Sequence, residues 1–342
     1  MDVVAAYDDI FLEHETGSHP ERPQRLLAIK RALSATGLER RLRWLTPAPA
    51  PSDAIRAVHS AQYLDYLEWM CLRGGGNLDL DTPVGPRSYE AALLAAGATI
   101  QVMVEVLEGR ASAGFALVRP PGHHARRDRG MGFCLLNNVA IAARYAVDRL
   151  GIRRAMIVDF DVHHGNGIQE AFYADERVFY FSVHQSPFYP GSGTYDEIGE
   201  GPGLVYNANV PLPAGVGNEG YERVFREILY PLMRRFSPEA ILVCAGYDAH
   251  WADPLANMQV SSGGFGRLVA MLKEYAEPYC QGHLALALEG GYDLDGLSRS
   301  VVETFHALLG ESIGDDVYLA PKLSWQPDLE PFLAKVRGMH DL

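Results

Sequence analysis

The chain has 342 residues, of which 48% are hydrophobic and 21% charged, a balance typical of a folded protein with a large apolar core and not of a disordered chain. Its formal net charge is −13, which repels nucleic acid and favours the approach of cationic ligands. We therefore expect no direct nucleic-acid partner.

Apolar runs of strand length alternate with amphipathic helical patterns along the chain. The predicted strands are 3–7, 115–118, 155–158, 178–183, 241–244 and 284–288. The clearest helical patterns are 24–33, 89–107, 139–150, 221–235 and 265–275. Because continuous apolar strands separated by helices form parallel sheets with helices on both faces, the pattern predicts a single α/β domain over 1–342.

The chain shows no pattern of an exported or membrane protein. It begins MDVVAAYDDI, without a basic segment, and has no uninterrupted apolar run of about 18 residues. We expect a cytoplasmic protein with no membrane span. The four cysteines lie far apart without CxxC spacing, so neither a disulfide framework nor a thiolate zinc site is expected.

The stretch AMIVDFDVHHGNG, 155–167, ends a predicted strand in acidic and imidazole side chains. Side chains alternate along an extended backbone, so Asp159, Asp161 and His163 share one face. Two buried carboxylates this close together are costly unless a cation neutralises them. The stretch therefore predicts a metal site, with a polar cap at a strand end as the simpler alternative.

Three further polar clusters follow predicted strands. RPPGHH (119–124), GYDAHWADP (246–254) and EGGYD (289–293) follow the apolar runs at 115–118, 241–244 and 284–288, respectively. Ligands of open parallel sheets bind at the carboxyl ends of the strands, where such loops converge. We therefore expect all four clusters to form one site.

The metal ligands can be assigned only in part from residue type. Asp253 is a third candidate ligand beside Asp161 and His163, and Asp248 is its rival. Such a set leaves coordination positions open for water and substrate. Zn²⁺ suits it best, with Fe²⁺ and Co²⁺ as alternatives.

The other polar residues indicate acid–base chemistry. His123 and His124 lie on a loop stiffened by two prolines, and adjacent imidazoles held in this way can transfer protons near a metal. Tyr292 follows two glycines and could stabilise an oxyanion. An inert surface histidine pair and a core tyrosine are the simpler alternatives.

Together these motifs resemble the histone deacetylase family, zinc-dependent amidohydrolases with an arginase-like α/β fold. The resemblance extends over nearly the whole chain and is strongest to the class II branch and its bacterial homologues. Besides the four clusters, it rests on HPERP at 19–23, HHGNG at 163–167 and FYPGSG at 188–193. It implies a central parallel sheet of about eight strands.

The resemblance implies roles for the clustered residues. Asp161, His163 and Asp253 would bind zinc, and Tyr292 would polarise the acyl oxygen.

The resemblance also assigns the two histidines. His124 would be the general base that then protonates the amine, and His123 chiefly an electrostatic partner. Asp159 would hydrogen-bond His123, and Asn166 would approach His124. Because Asn166 is an amide where a carboxylate could stand, it would leave His124 less basic.

A narrow acyl-lysine tunnel follows from the same resemblance. Phe133 and Tyr189 match its aromatic walls, although the family often has phenylalanine at the second position. Arg25 matches an arginine beside a cavity that releases acetate. The substrate-binding residues implied are Phe133, Tyr189, Gly132, Gly291, Val260 and Arg25.

The family also has monovalent cation sites, formed largely by backbone carbonyls. The first potassium site would involve Asp159, Asp161, His163, Ser182 and Val183. The second would involve Phe172, Asp175, Val178 and Tyr206.

The sequence thus predicts a zinc-dependent deacetylase of N-acyl amides, with acetyl-lysine in proteins or peptides as the first substrate. An acetylpolyamine amidohydrolase is the alternative. It needs a carboxylate at the tunnel mouth for the distal ammonium, and Val260, seven residues beyond Asp253, argues against it. Glu15, Glu21 or Asp81 could serve instead.

A second alternative is a catalytically silent module that binds acetyl-lysine. It is less favoured because binding alone does not require metal ligands, paired imidazoles and Tyr292 together. The helical surface 63–72 is either core or a dimer contact, so a homo-oligomer stays open.

Overall fold

The computed structural model describes residues 2–314 and 327–342 of the chain. Eight parallel strands form one sheet, and two short antiparallel strands form a hairpin. In chain order the strands are β1 (Val3–Ala6), β2 (Arg43–Leu45), β3 (Gly76–Asn77), β4 (Pro83–Val84), β5 (Ala113–Ala116), β6 (Ala155–Asp159), β7 (Val178–Gln185), β8 (Asn207–Leu212), β9 (Ala240–Ala245) and β10 (Leu284–Leu288).

The helices occupy most of the intervening chain. In the described residues they are α1 (Gln24–Ala35), α2 (Ser52–Arg56), α3 (Ala61–Leu72), α4 (Ser88–Leu107), α5 (Asn138–Arg149), α6 (Asn166–Phe172), α7 (Asn218–Val224), α8 (Tyr230–Phe236), α9 (Ser262–Cys280), α10 (Leu294–Leu309) and α11 (Glu330–His340). The π-helical segment Phe225–Leu229 joins α7 to α8.

The strand order places the four predicted site strands side by side. The order is β2-β1-β5-β10-β9-β6-β7-β8, so β5, β10, β9 and β6 are consecutive neighbours at the centre of the sheet. Every residue of these four strands is buried. Their carboxyl ends therefore meet in the middle of one edge, where a ligand site of a parallel sheet is expected.

Helices cover both faces of the sheet. On one side α4 and α5 pack against each other and against β10 and β9, and on the other α1, α9 and α10 pack together with α9 on the same two strands. Side-chain caps start the helices that follow the site loops, because Asn137, Ser261 and Asp293 each accept a backbone N–H of α5, α9 or α10. These caps fix where the loops end.

One helix in the described ranges, α4, is long and apolar enough to span a membrane by length and composition. In the fold, 67% of its apolar window is buried, and it packs on β1, β5 and β10. This is the environment of a core helix.

The predicted fold class is confirmed: a single α/β domain contains an eight-stranded parallel sheet. All six predicted strands are present, although β5 begins two residues before the predicted 115–118. The two strands that the sequence did not predict, β2 and β8, are the edges of the sheet. They were missed because edge strands lack a continuous apolar run: β2 is only half-buried, and β8 contains two asparagines.

Candidate active site

The structure brings the four polar clusters together at the carboxyl end of the sheet. Backbone N–H groups of one loop donate hydrogen bonds to carboxylates of another. The Gly290 N–H donates to Asp161 Oδ2 at 2.8 Å, and the Val162 N–H donates to Asp248 Oδ1 at 2.8 Å. These contacts join the loops after β10, β6 and β9. The loop after β5 joins them through His123.

His123 lies between two carboxylates of the β6 loop. Its Nδ1 is 3.0 Å from Asp159 Oδ2, an oxygen that also accepts the Tyr180 hydroxyl at 3.0 Å. Burial lowers the pKa of His123, but Asp161 and Asp159 outweigh burial and raise it to about 10. The contact between Asp159 and His123 is the one that the resemblance implies.

His124 is held in a different electrostatic environment. Its Nδ1 lies 2.8 Å from Asn166 Oδ1. Because an amide oxygen only accepts hydrogen bonds, Nδ1 carries the proton and Nε2 keeps its lone pair in the neutral ring. Burial, together with His123 and His163, lowers the pKa of His124 well below its usual value. The ring is therefore neutral at pH 7, with an acceptor nitrogen available, as a general base requires.

A compact group of metal-binding residues lies next to this pair. Ligand atoms of Asp161, His163 and Asp248 all lie within 4.8 Å of one another. His163 Nδ1 is 3.1 Å from Asp161 Oδ1 and 3.1 Å from Asp248 Oδ2. Both carboxylates are fully buried, and His163 is nearly so. Burial and the charge of Asp161 raise the pKa of Asp248 to about 6.

Asp253, the third ligand expected from the resemblance, falls outside this 4.8 Å group in the described residues. Its Oδ2 instead accepts the backbone N–H groups of Tyr292 at 2.7 Å and Asp293 at 3.3 Å. Burial and the charge of Asp248 raise the pKa of Asp253 to about 7. The compact group thus contains Asp248, the rival, while Asp253 lies against the turn that carries Tyr292.

The donor chemistry of this region fits a divalent cation. Asp161, Asp248 and Asp253 place three carboxyl groups in a buried region beside His163, and burial raises the pKa of Asp248 and Asp253, so a bound cation would favour their charged forms. Oxygen and imidazole nitrogen donors are those that Zn²⁺, Fe²⁺ and Co²⁺ accept. The residues present can therefore hold the ion that the sequence predicts.

Aromatic rings surround the approach to this group. Tyr189 packs edge-on against His124 with ring centroids 5.1 Å apart, and Phe133 packs edge-on against Tyr292 at 5.6 Å. Gly132, between the walls, has φ +55°, and a Cβ there would lie 2.6 Å from His124 Cδ2. Only glycine fits this close approach.

The hairpin of β3 and β4 fixes the Phe133 wall. Phe133 has φ +70°, a left-handed conformation that is unfavourable for a residue with a side chain. Its N–H donates to the hydroxyl of Thr82 at 3.1 Å, and Thr82 is fully buried. The sequence did not predict a role for Thr82, because a hydroxyl fifty-one positions from its partner leaves no local signal.

Tyr292 and Arg25 meet at the glycine turn after β10. The Arg25 guanidinium lies 5.0 Å from the Tyr292 ring centroid, and its Nε donates to Gly291 O at 2.7 Å. Its other donors reach Glu289 O and Glu21 Oε1. Burial raises the pKa of Tyr292 well above its usual value, so the phenol keeps its proton. Arg25 thus contacts the turn of the candidate catalytic tyrosine.

Glu289 is a buried carboxyl that sequence reasoning did not single out. Its Oε2 accepts the N–H groups of Gly122 at 2.6 Å and His123 at 3.1 Å, and burial raises its pKa to about 7. It therefore positions the loop that carries both histidines. Its position directly after an apolar strand and before two glycines is the sequence feature from which a role for Glu289 could have been predicted.

Two expectations about the tunnel mouth are wrong. Val260 is fully buried in the core and pairs with His250, so it cannot report on the charge of the mouth, and it is not exposed to a substrate there. Glu21 is also fully buried and pairs with Arg119 and Arg25, which removes it as a receptor for a distal ammonium. Glu15 and Asp81 remain in exposed or partly exposed loops.

The first set of residues predicted for potassium lies at the paired ends of β6 and β7, and the second includes two backbone carbonyls that accept hydrogen bonds. Asp159 and Ser182 are paired across β6 and β7, next to Val183. In the second set the Phe172 carbonyl accepts Asp175 N–H at 3.0 Å, and the Tyr206 carbonyl accepts Tyr180 N–H at 3.0 Å. Potassium binding at both places stays a prediction.

A doubly covered parallel sheet with buried carboxylates and paired imidazoles at its carboxyl edge defines a candidate metallohydrolase. The histone deacetylase domain matches residues 19–308 of the chain. A probable deacetylase of Archaeoglobus fulgidus is 40% identical over 327 residues, which are 94% of this chain and 90% of the relative.

Two further comparisons agree. A histone deacetylase-like amidohydrolase of Pseudomonas aeruginosa is 41% identical over 275 residues, 80% of this chain and 72% of the relative. The crystal structure of the HDA15 HD domain matches with a TM-score of 0.90 and 35% identity, over 99% of this chain and 95% of that chain. The chain belongs to the histone deacetylase family, and it is a hydrolase that acts on amides.

Proposed function

We propose that the protein hydrolyses N-acyl amides with the help of zinc and that its preferred substrates are acetyl-lysine side chains of proteins or peptides. One observation carries the proposal: a neutral His124 with a free Nε2 stands next to the metal-binding group, its ring centroid 5.8 Å from that of His163. A base beside a Lewis acid is the arrangement that activates water for attack on an amide.

The surroundings of each residue suggest its role in amide hydrolysis. When bound by Asp161, His163 and one or both rival aspartates, Zn²⁺ supplies Lewis acidity to the amide carbonyl and to water. His124 Nε2 accepts the proton of the attacking water while a C–O bond forms. The same nitrogen then gives that proton to the amine as the C–N bond breaks.

Two further residues stabilise the negative charge that develops on the acyl oxygen and around it. Tyr292 keeps its proton, so its hydroxyl can donate a hydrogen bond to the oxyanion. His123, fixed by Asp159 and raised in pKa by the two aspartates, contributes positive charge. The products are acetate and a free amine.

The walls of the approach favour a linear chain. Phe133 and Tyr189 contact Tyr292 and His124 edge-on, which suits the apolar methylenes of acyl-lysine. An acetylpolyamine is the second candidate substrate, because Asp79 and Asp81 lie close enough to Tyr189 to raise its pKa in addition to burial and could receive a distal ammonium.

Acetate release from zinc-loaded protein tests the proposal. The substrates are a panel of acetyl-lysine peptides, N-acetylputrescine and N8-acetylspermidine, compared by kcat/KM. We expect peptides to be preferred. Tyr292→Phe should lower kcat about 100- to 1000-fold, the usual cost of losing one oxyanion donor, with little change in KM.

Tyr221→Phe is the matched control, because Tyr221 is buried and its hydroxyl has no hydrogen-bond partner in the described residues. Full activity of Tyr292→Phe would remove Tyr292 from the mechanism. Preference for the polyamines would establish the second candidate. Metal-loaded protein that binds acetyl-lysine peptides without turning them over would instead be a binding module.

A further inference from the structure

Half of the large apolar side chains that are exposed in the described residues belong to one stretch of the chain, 66–80. These four, Tyr66, Trp69, Leu72 and Leu80, lie on α3 and on the β3–β4 hairpin that follows it. Leu72 is 81% exposed and Leu80 fully exposed. Tyr66 and Trp69 stack with ring centroids 6.0 Å apart. Clustered exposure of this kind marks an interaction surface.

The hairpin connects this surface to the mouth of the site. At its base, a Cβ on Gly76 would lie 3.0 Å from Met70 Cε of α3. At its other end Thr82 holds the Phe133 wall through the 3.1 Å hydrogen bond. We call the residues Tyr66, Glu68, Trp69, Leu72 and Leu80 the α3–hairpin surface.

Charge decides which partner fits the α3–hairpin surface. Between residues 61 and 82 the carboxylates are Asp65, Glu68, Asp79 and Asp81, and Arg73 is the one basic residue. A second copy of the chain would set this excess of carboxylates against itself, because a twofold interface pairs a patch with the same patch. A basic polypeptide would instead be attracted, in keeping with the net charge of −13.

The aromatic pair suits the same partner. Lysine and arginine cations bind over tryptophan and tyrosine rings, and Trp69 already lies under the Arg73 guanidinium at 5.2 Å. Exposed Leu72 and Leu80 can cover the aliphatic stems of such side chains. Carboxylates, aromatic rings and aliphatic side chains together therefore match a segment rich in lysine or arginine.

We propose that the α3–hairpin surface is an exosite for a basic segment of a protein substrate whose acyl-lysine occupies the tunnel. The inference rests on the proposed function and narrows its substrate to polypeptides with basic flanks. An extended peptide advances about 3.3–3.6 Å per residue, so four to six residues span roughly 13–22 Å. Because the hairpin, residues 76–84, lies between the exposed aromatic pair and the Phe133 wall, we expect the bound segment to lie about four to six residues from the acyl-lysine.

Steady-state kinetics with two substrates test the exosite. The long substrate is a 13-residue peptide with acetyl-lysine at its centre and lysine or arginine at the fourth to sixth positions on both sides. The short substrate is acetyl-lysine with blocked ends. The variants are the double substitution Tyr66→Ala/Trp69→Ala and the single substitution Glu68→Gln, at an exposed carboxylate of α3. Leu204→Ala, an exposed apolar site outside this region, is the matched control.

We expect the aromatic double variant to lower kcat/KM for the long peptide about tenfold, because exposed aromatic anchors carry much of the energy of peptide interfaces. The loss should appear in KM, with kcat unchanged. Glu68→Gln should weaken the dependence of KM on salt. The short substrate should be hydrolysed equally by every variant, and Leu204→Ala should match the parent with both substrates.

Equal loss with both substrates would show that the surface supports the site and not the peptide, and no loss with the long peptide would overturn the exosite. Light scattering after gel filtration tests whether a second copy of the chain occupies the surface instead. If the parent is a dimer, the double variant is a monomer and the peptide kinetics are unchanged, the surface is a dimer interface.

Failure of the proposed function gives a different result. If no acyl substrate is turned over, the fluorescein-labelled long peptide with unmodified lysine still measures binding by anisotropy. Tighter binding to the parent than to the double variant would support the exosite without catalysis, and equal binding would reject it.

Discussion

The interior of the site and its mouth are constructed on opposite principles. In the interior, polar side chains at the ends of four adjacent strands are buried and bonded to partners far away in the chain, as Glu289 is to the loop of His123. At the mouth, a hairpin with two-residue strands exposes Leu80 and carries carboxylates toward solvent. The sheet therefore fixes the chemistry-bearing residues, whereas the substrate selection that we propose depends on a segment that can change without disturbing the core.

The largest effect should come from breaking the buried interior at Glu21. Its carboxylate accepts hydrogen bonds from Arg119 and Arg25, and all three side chains are fully buried. Glu21→Gln leaves two buried guanidinium groups without a counter-charge, so we expect a loss of about 3–5 kcal/mol in the free energy of unfolding. Denaturant unfolding measures it, with exposed Glu274→Gln as control.

The pH dependence of the same variant sharpens the test. Burial raises the pKa of Glu21, but Arg119 above all outweighs burial and lowers it to about 2. A carboxylate with a lowered folded-state pKa contributes stability above its unfolded value near 4.5, and that stability is lost as pH falls toward 2. Glu21→Gln should remove this part of the acid destabilisation. A parent and variant that lose stability in parallel between pH 4.5 and 2 would contradict the assignment.

Metal removal should have the next largest effect, and one that depends on pH. Burial raises the pKa of Asp248 to about 6 and of Asp253 to about 7. Because their folded-state pKa values are raised, these two carboxyl groups cost no stability near pH 4 and destabilise the metal-free protein as pH rises through 6 and 7. A bound ion removes this penalty and adds about 2.7 kcal/mol at a hundredfold excess over its Kd.

Thermal melts of chelated and zinc-loaded protein at pH 5 and 7.5 measure this effect, and the difference in Tm should be larger at pH 7.5. Asp248→Asn and Asp253→Asn then separate the rival ligands. The substitution that abolishes bound zinc identifies the ligand, and the other should only weaken binding. Equal Tm values with and without zinc at both pH values would show that the buried carboxylates hold no ion.

A smaller effect should follow from changing the environment of the candidate base. Asn166→Asp places a carboxylate 2.8 Å from His124 Nδ1, where the amide oxygen now lies. An adjacent negative charge favours the imidazolium and raises the pKa by about one unit or more. His124 should then lose its lone pair at higher pH, so the acid limb of kcat/KM should move upward. A limb that stays in place or moves downward would show that another group is the base.

The comparison also explains what the sequence could and could not predict. The strands that precede the candidate catalytic and metal-binding residues are continuous apolar runs, so the sequence predicts them. Because ligands of parallel sheets bind at the carboxyl ends of the strands, the positions of Asp161, His163 and Tyr292 at one edge could be predicted as well. The edge strand β8 could not be predicted because its buried positions include two polar residues. Asn207 and Asn209 each donate a side-chain hydrogen bond to Gln169 Oε1, so the strand has no continuous apolar run. A local pattern reports burial, not such long-range pairing.

Contacts between distant segments set the limit at the site as well. Asp248 and Asp253 belong to one loop and have the same side chain, so spacing alone could not show which lies against His163. Val260 was placed at the mouth by counting residues, whereas a bridge to His250 takes it into the core. Thr82 acts on Phe133 across fifty-one positions. Each case depends on three-dimensional pairing that one sequence does not contain.

The smallest predicted effect lies at the junction of interior and mouth. Thr82→Val keeps the branched shape but removes the oxygen that accepts the N–H of Phe133. The hydrogen bond is part-buried, so its loss should cost at most about 1–3 kcal/mol, and the left-handed backbone of Phe133 is released from its restraint. We expect KM for acetyl-lysine substrates to rise about three- to tenfold, with a smaller change in kcat, when a wall that binds the acyl chain loses its fixed position. Thr82→Ser, which retains the hydroxyl, should restore the parent KM. If the valine and serine variants behave alike, the hydroxyl does not hold the wall, and the hairpin influences the tunnel only through packing.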